Sequence, residues 1–225
     1  MKIIIGTYRA NKAMIDRCYD SMITHLADTE RNEFWFVDDS GDDEFRGWLE
    51  RYGKVVGVGR ENQGYAKAMD KVCEVMRELA DEYVMFWEED FVATKRVHLD
   101  SICKALDTYP RMAQIVLPRQ PWFPREVELG SMMKALAERK NESYETKIPW
   151  EEGENEPPLF EHTMTFSCNP AVWAPMAYRW PWPQCNDSED HKTRYLVDDY
   201  DNACFAFWGD EPLVHHDGER LGKGY

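Results

Sequence analysis

Three consecutive carboxylates, Glu88-Glu89-Asp90, directly follow the apolar run at residues 83–87. Like charges at neighbouring positions repel each other by about 1 kcal/mol per pair even in water. A hard divalent cation would remove that repulsion, and oxygen atoms are the ligands that Mg²⁺ and Mn²⁺ prefer. The structural alternative is an acidic helix N-terminus, where negative charge offsets the helix dipole. We favour metal binding, because the apolar run has no polar group of its own at its end.

Three further loops carry polar residues where a strand is predicted to end. They are Thr7, Tyr8 and Arg9 after the first strand, Asp38 and Asp39 after the second, and Asn62 and Gly64 after the third. Open parallel sheets bind their ligands beyond the carboxyl ends of the strands. Any one of these residues could be a helix cap or a turn residue, but four such loops together predict a ligand site.

The elements that must position these residues alternate between strand and helix over the first 117 residues. Short apolar runs predict strands at 2–6, 34–37, 55–58, 83–87 and 114–117. Apolar residues at helical spacing predict helices near Asn11, Phe45, Gly64 and Leu99. This alternation is typical of βαβ units, so we expect an α/β fold with a mostly parallel central sheet.

The second half of the chain is less regular. We expect one helix near 129–136, an acidic, proline-containing surface loop at 151–158 and a strand at 163–167. The tryptophans of this half include Trp122, Trp150, Trp173, Trp180 and Trp182. Aromatic faces suit the apolar faces of sugars, but most tryptophans are core residues, so only one or two should contact a substrate.

Composition excludes several classes of protein. The 225 residues carry a net charge of −15, which argues against nucleic-acid binding because phosphate recognition needs clustered cations. Six widely spaced cysteines without a C-x-x-C motif favour a reducing compartment. With no signal peptide or membrane span in the sequence, we expect a cytoplasmic protein.

Two nucleotide-binding motifs are absent. Residues 56–64, VGVGRENQG, fail the dinucleotide fingerprint because Asn62 stands where its third glycine is required. The phosphate-binding motif G-x-x-x-x-G-K-[ST] is also missing. A typical NAD enzyme and a P-loop NTPase are therefore both excluded.

The order of several short motifs resembles the nucleotide-sugar domain of GT-A glycosyltransferases. These motifs are GTYRAN (6–11), VDDSG (37–41), ENQGYAKAMD (61–70) and WEEDF (87–91). SEDHKTRYL (188–196), FAFWG (205–209) and VHHDGERLGKGY (214–225) are similar to the later segments of small bacterial and phage-type members of family 2. The resemblance implies one Rossmann-like GT-A domain over 1–225. Residues 1–117 would bind the nucleotide sugar, and 118–225 the acceptor, with an irregular insertion at 118–160.

The resemblance also implies roles for individual residues in binding the nucleotide sugar. Thr7 and Tyr8 would line the base and ribose pocket, and Asp39, rather than Asp38, would read the base edge. Glu88 would lie near the ribose hydroxyls, at a position where the common D-x-D motif has Asp. The implied binding set is completed by Arg9, Asn62, Gly64, Lys67, Glu89 and Arg220.

Metal binding falls to Asp90 of the D-x-D position, which would hold Mn²⁺ or Mg²⁺ against the diphosphate. His216 of the H-x-G motif would complete the metal shell, with His215 as the alternative, since neighbouring strand residues face opposite ways. Arg220 and Lys223 would close over the donor and neutralise its phosphates. The alternative for this tail is an ordinary flexible C-terminus.

Catalysis would need a carboxylate beside the acceptor hydroxyl. The resemblance points to Glu189 as the base, with Asp190 second, and Asp198-Asp199 in an E-D-x-D-like run as a further alternative. The expected reaction is metal-dependent and inverting, from a UDP-sugar by default, to a glycan, a protein or a modified nucleobase. An inactive nucleotide- or glycan-binding module is one alternative. A sugar-1-phosphate nucleotidyltransferase is disfavoured, because no G-x-G-T-R loop follows the first strand.

Overall fold

The computed structural model describes residues 1–27, 31–79, 82–149, 156–200 and 202–218. Strands and helices alternate in the first half, as predicted. The elements are β1 (Lys2–Thr7), α1 (Lys12–His25), β2 (Glu33–Asp38), α2 (Asp43–Leu49), β3 (Lys54–Gly57), α3 (Tyr65–Glu78), β4 (Val84–Glu88), β5 (Phe91–Ala93), α4 (Leu99–Thr108) and β6 (Met112–Val116).

Shorter elements follow in the second half. They are α5 (Pro124–Leu129), α6 (Met132–Lys140), β7 (Glu145–Lys147), β8 (Leu159–His162), β9 (Ala171–Trp173), α7 (Pro175–Arg179), α8 (Ser188–Arg194), a π-helical turn (Tyr195–Tyr200), β10 (Cys204–Trp208) and β11 (Val214–His216).

Nine strands form one sheet in the order β3-β2-β1-β4-β9-β6-β10-β8-β7. The first four strands are parallel neighbours, and β6 is parallel to β10. Among the strands of this sheet, β8 and β9 run in the opposite direction. The predicted α/β fold with a mostly parallel sheet is confirmed. A separate pair, β5 and β11, lies beside the carboxyl end of β4 and is antiparallel.

The side chains of the central strand β1 are buried on both faces of the sheet. Ile3 and Ile5 belong to one core cluster, together with Ile15 of α1. Ile4 belongs to the other cluster, together with Met76 of α3. A parallel strand buried on both faces reads as a continuous apolar run, which is what the sequence has at this point.

The single helix predicted near 129–136 is confirmed only in part: α6 covers 132–136, but Leu129 is the last residue of a separate helix, α5. Gly130 has a φ of +65° and accommodates the left-handed turn that ends α5. The Ser131 side chain then accepts a hydrogen bond from the Lys134 amide and caps α6. A helical spacing of apolar residues continues across this break, so periodicity alone did not reveal it.

The strand predicted at 163–167 is wrong. The chain forms β8 at Leu159–His162 instead, paired with β10. The amides of Phe166, Ser167 and Cys168 donate to side chains and not to a neighbouring strand. Of the loop predicted at 151–158, residues 151–155 lie outside the described residues, and 156–158 are irregular.

Two further expectations concern the whole chain. No helix in the described ranges is long and apolar enough to cross a membrane. All six cysteines are free thiols, five of them at least partly buried. This agrees with the expectation that the cysteines do not form a disulfide framework.

Candidate active site

A cavity of about 520 Å³ opens at the carboxyl ends of β1, β2 and β4. The predicted site residues that line it are Thr7, Tyr8, Asp39, Asn62, Gly64, Glu88, Asp90 and His216. Met69, Val72 and Phe86 form an apolar part of its wall. We call this space the first cavity. It lies where an open parallel sheet is expected to bind a ligand.

Asp38 and Asp39 are neighbours with different roles. Asp38 is fully buried and accepts hydrogen bonds from the hydroxyls of Thr7 (2.9 Å) and Ser40 (2.8 Å) and from the Arg46 guanidinium (2.9 Å). These contacts lock the β1 and β2 ends together. Asp39 lines the first cavity, and Asp38 does not.

The Asp39 carboxylate is fixed by the loop before α3. Its two oxygens accept from the backbone amides of Gln63 (2.8 Å) and Gly64 (2.9 Å), and Asn62 donates to the Asp39 carbonyl (3.0 Å). Gly64 has a φ of +88°, a left-handed conformation that favours glycine at the start of this helix. The arrangement holds a buried acceptor group rigidly at the cavity wall.

Glu89 supports the first cavity from behind. Its carboxylate accepts from the amides of Tyr8 (3.3 Å) and Arg9 (3.1 Å), and it does not line the cavity. Burial raises the pKa of Glu89 to about 7, although those two hydrogen bonds oppose the shift. The pKa of Tyr8 is also raised, by burial first and then by Asp90 and its two neighbouring carboxylates, while Arg9 opposes the shift.

Asp90 and His216, two side chains of the types that bind metals, are in contact at this cavity. The Asp90 Oδ2 atom lies 3.3 Å from His216 Nε2, and both side chains are almost fully buried. The pairing of β11 with β5 sets His216 opposite Phe91, next to Asp90. A Cβ atom at Gly218 would lie 2.2 Å from Asp90 Oδ2, so any larger residue there would displace the Asp90 side chain or its own segment. His215 is half exposed and faces Asp217 instead, as strand alternation predicts.

These residues fit a divalent cation. Asp90 Oδ1 and His216 Nδ1 are buried and have no hydrogen-bond partner among the described residues. Within the described ranges, no group of three or more His, Cys, Asp or Glu could hold a metal. The pair would supply only part of a coordination shell, and phosphate oxygens and water are the usual source of the rest for Mg²⁺.

A second cavity of about 320 Å³ is lined by two of the candidate bases, Glu189 and Asp190. Glu189, near the start of α8, lines it and accepts a hydrogen bond from the Cys168 amide at 2.8 Å. Burial raises the pKa of the Cys168 thiol, and the adjacent Glu189 carboxylate raises it further. Asp190 also lines this second cavity, but it is exposed and paired with Lys140 at 3.2 Å. Asp198 and Asp199 are exposed and line neither cavity.

Tyr65 is the residue that sequence reasoning missed. It is the first residue of α3 and lines both cavities, so it lies between them. The signal was its position directly after Gly64, where a strand-to-helix loop meets a ligand site. The predicted Lys67 is exposed, contacts Gln63 at 3.4 Å and does not line the first cavity. Arg9 does not line it either.

The tryptophans divide between core and surface. Trp173 and Trp182 are buried and stacked on each other, with ring centroids 6.4 Å apart. Trp122 packs edge-on against the His216 ring at 4.8 Å, and Trp180 is partly exposed. Trp150, Arg220 and Lys223 lie outside the described residues.

The chain is similar to known proteins both in sequence and in structure. The profile of Glycosyl transferase family 2 matches residues 2–170. No curated protein sequence matches the chain. A mannosyltransferase, PcManGT from Pyrobaculum calidifontis, solved with GDP-Man and Mn²⁺, superposes with a TM-score of 0.64 at 15% identity, over 98% of this chain and 57% of that one.

A second solved structure is S. aureus TarS 1-349 in complex with UDP-GlcNAc, with a TM-score of 0.62 at 16% identity. The superposition covers 99% of this chain and 59% of that one, so the chain spans somewhat more than half the length of both relatives. These similarities show the fold, and the profile covers most of the chain. The protein belongs to glycosyl transferase family 2 and has the GT-A fold.

Proposed function

We propose that this protein is a metal-dependent, inverting glycosyltransferase that moves a sugar from a nucleotide diphosphate sugar to an acceptor hydroxyl. The observation that carries the proposal is the buried Asp90–His216 pair, 3.3 Å apart, on the wall of the cavity that Asp39 and Thr7 also line. A metal-ligating pair beside a pocket with fixed acceptor groups suits a nucleotide diphosphate better than a neutral ligand.

The nucleoside would bind beside β1 and β2. The Asp39 carboxylate, held by two backbone amides, would accept hydrogen bonds from the base edge. Thr7 and Tyr8 would line the base and ribose pocket, and Glu88 would accept from the ribose hydroxyls. We take a UDP-sugar as the default donor, although one of the similar structures was solved with GDP-Man and the other with UDP-GlcNAc.

The diphosphate would lie against Asp90 and His216. Mn²⁺ or Mg²⁺ held there would supply positive charge as the nucleotide diphosphate leaves. The protein part of the site is strongly acidic, because Glu88 and Glu89 directly precede Asp90. Without a cation, these carboxylates would repel the phosphates. We propose that Arg220 and Lys223 add to this neutralisation.

Glu189 would act as the general base in the second cavity. It takes the proton of the acceptor hydroxyl as that oxygen bonds to the anomeric carbon, and the bond from that carbon to the diphosphate breaks. A single displacement inverts the anomeric centre. The two cavities share Tyr65, which is consistent with an acceptor in one attacking a donor in the other.

The acceptor would be a glycan, a protein side chain or a modified nucleobase. Polar side chains such as Ser167, Asn169 and Arg139 line the second cavity, and they suit a hydroxyl-rich molecule. The net charge of −15 argues against a nucleic-acid acceptor. We also propose that the protein works in the cytoplasm, in keeping with its six free thiols.

A thermal-shift panel tests this proposal. UDP-, GDP-, TDP- and CMP-sugars are each added with Mn²⁺ or with EDTA, to the wild type, to Asp90→Ala and to the matched control Asp198→Ala. A ligand at one hundred times its Kd should stabilise the fold by about 2.7 kcal/mol. We expect a metal-dependent shift with one nucleotide, lost in Asp90→Ala and kept in Asp198→Ala.

Two other results would change the conclusion. A shift that persists in EDTA and in Asp90→Ala would contradict the metal site. A metal-dependent shift without any release of nucleotide from the donor would favour an inactive binding module over an enzyme.

A further inference from the structure

Two glutamines make the same unusual contact at the two sites described above. Gln114 lies in β6, and Gln120 follows that strand by a few residues. Each uses its amide side chain to bond both the N–H and the C=O of one distant residue, as a neighbouring strand would. In each case the glutamine side chain makes the two hydrogen bonds that a neighbouring strand would otherwise have made to Ser167 or to His216.

Gln120 holds the proposed metal ligand. Its Oε1 accepts from the His216 amide at 2.9 Å, and its Nε2 donates to the His216 carbonyl at 3.2 Å. The main chain just before it already pairs with β11, since Leu213 donates to the Pro118 carbonyl and the Gln120 amide donates to the Val214 carbonyl. The side chain extends that pairing to the last residue of the strand.

This contact matters because β11 is only three residues long. The His216 ring lies between Phe91 and Trp122, with centroid distances of 4.6 and 4.8 Å. Ring packing restricts the imidazole. The main chain of His216 is held on one side by β5 and by the Asp217 amide, which donates to the Asp90 carbonyl at 2.7 Å, and on the other side by Gln120. Gln120 therefore contributes to the distance from His216 to Asp90.

Gln114 holds the segment beside the proposed base. It is fully buried, its Oε1 accepts from the Ser167 amide at 2.7 Å, and its Nε2 donates to the Ser167 carbonyl at 2.9 Å. The flanking amides both donate to α8: Phe166 to the Thr193 hydroxyl and Cys168 to the Glu189 carboxylate, each at 2.8 Å. The glutamine thus fixes the middle of the three amides.

We propose that Gln120 and Gln114 are positioning residues with separate duties, one for His216 and the metal, the other for Glu189 and proton transfer. The inference rests on the proposed function. Loss of either glutamine would leave two main-chain groups without their bonds, and the held segment would shift. Such a shift at Ser167 moves the Cys168 amide that Glu189 accepts, whereas a shift at His216 moves a metal ligand.

The test uses Gln120→Met and Gln114→Met, which keep the side-chain volume and remove both hydrogen bonds. Gln184→Met is the matched control, because its exposed amide bonds only the carbonyls of Ala66 and Trp182. Binding of Mn²⁺ in the presence of UDP, and separately of GDP, is measured from the electron paramagnetic resonance signal of free Mn²⁺. Release of nucleotide from the sugar donor is then measured against Mn²⁺ concentration.

Different changes are expected in the two variants. Gln120→Met should weaken Mn²⁺ binding about tenfold, the size seen when an outer partner of a metal ligand is lost, and excess Mn²⁺ should restore turnover. Gln114→Met should bind Mn²⁺ within about twofold of the wild type. Its turnover at saturating Mn²⁺ should fall about tenfold or more, because misplaced catalytic groups lose rate without losing ligand.

The proposal is overturned if Gln120→Met binds Mn²⁺ as Gln184→Met does, or if both variants lose binding and turnover in equal proportion. If the wild type binds no Mn²⁺ with either nucleotide, the proposed function itself fails. Circular dichroism checks folding. Where a methionine variant does not fold, Gln120→Ala or Gln114→Ala is used instead, because the smaller side chain leaves room for water to bond the two freed main-chain groups. Water does not hold the segment in place as the glutamine does, so the same split between Mn²⁺ binding and turnover is expected.

Discussion

The two halves of the molecule bring polar groups to the site by different physical means. In the first half, Thr7, Asp39 and Glu88 stand at or next to the ends of parallel strands, so the sheet itself aligns them. In the second half, His216 and Glu189 are held by short or irregular segments. Side chains there supply the hydrogen bonds that a regular strand would have provided.

This difference has a consequence for robustness. A strand end in the middle of the sheet is fixed by many main-chain bonds and by apolar packing on two faces, as for β1. β11 is only three residues long and pairs with β5, but His216 and the segment at Ser167 each depend in addition on two hydrogen bonds from a single glutamine. Small substitutions should therefore disturb the second half more easily than the first, and should do so with little loss of overall stability.

The largest effect is expected at Glu189. Glu189→Gln keeps the size of the side chain and its hydrogen bond from Cys168 but removes the base. General bases contribute about 10²- to 10⁴-fold, so nucleotide release should fall by that factor while binding of Mn²⁺ and UDP stays intact. The measurement uses the donor that gives the largest metal-dependent thermal shift.

Two matched variants make this result specific. Asp190→Asn removes a carboxylate in an exposed ion pair with Lys140, and Asp198→Asn one that lines neither cavity. Both should keep turnover within a few-fold of the wild type. A loss in Asp198→Asn as large as that in Glu189→Gln would move the base to the 198–199 run.

A pH-dependent effect is expected at His162 of β8. Its ring is buried against Phe207, and burial lowers its pKa to about 3. In the unfolded chain the pKa of this histidine is about 6.5. Between about pH 6.5 and pH 3 the unfolded chain therefore binds more protons than the folded protein, and the free energy of unfolding falls as the pH falls. His162→Phe removes this loss and should gain about 2 kcal/mol relative to the wild type between pH 7 and pH 5.

Denaturant unfolding at each pH measures the gain. His98→Phe, at an exposed position, is the control. If the stabilities of the wild type and His162→Phe change in parallel with pH, then this buried histidine does not make the second half sensitive to acid.

A smaller effect is expected at Gly218, where the second half meets the first. Gly218→Ala would set a methyl group about 2.2 Å from Asp90 Oδ2 and force the two segments apart. Binding of Mn²⁺ with UDP should weaken about tenfold, as for other losses around a metal site. Gly47→Ala in α2 has open space around the new methyl group and should instead stabilise the fold by up to about 1 kcal/mol. Equal binding in both variants would show that the Asp90–Gly218 contact does not matter.

The same division explains what the sequence could predict. The strand ends of the first half followed from apolar runs and turn residues, which are local signals. Asp39, which the resemblance implies as the residue that reads the base edge, lines the first cavity. Lys67 was a less successful choice, because Tyr65, two residues earlier, is the helix residue that lines both cavities.

Local signals failed where bonds link distant residues. The residues next to Gln114 and Gln120 in sequence do not indicate which groups these glutamines bond, because Ser167 and His216 lie far along the chain. Residues 163–167 have the apolar content of a strand, but their amides are taken by side chains. Glu189 and His216 came from a family resemblance and not from periodicity, since only the fold sets them beside their cavities.

The most direct test is a crystal structure of the protein grown with UDP and Mn²⁺, with anomalous scattering data collected to locate the manganese. We expect one strong anomalous peak in contact with Asp90, His216 and the diphosphate, and a nucleoside base against Asp39. A peak elsewhere, or a diphosphate bound away from Asp90 and His216, would contradict it.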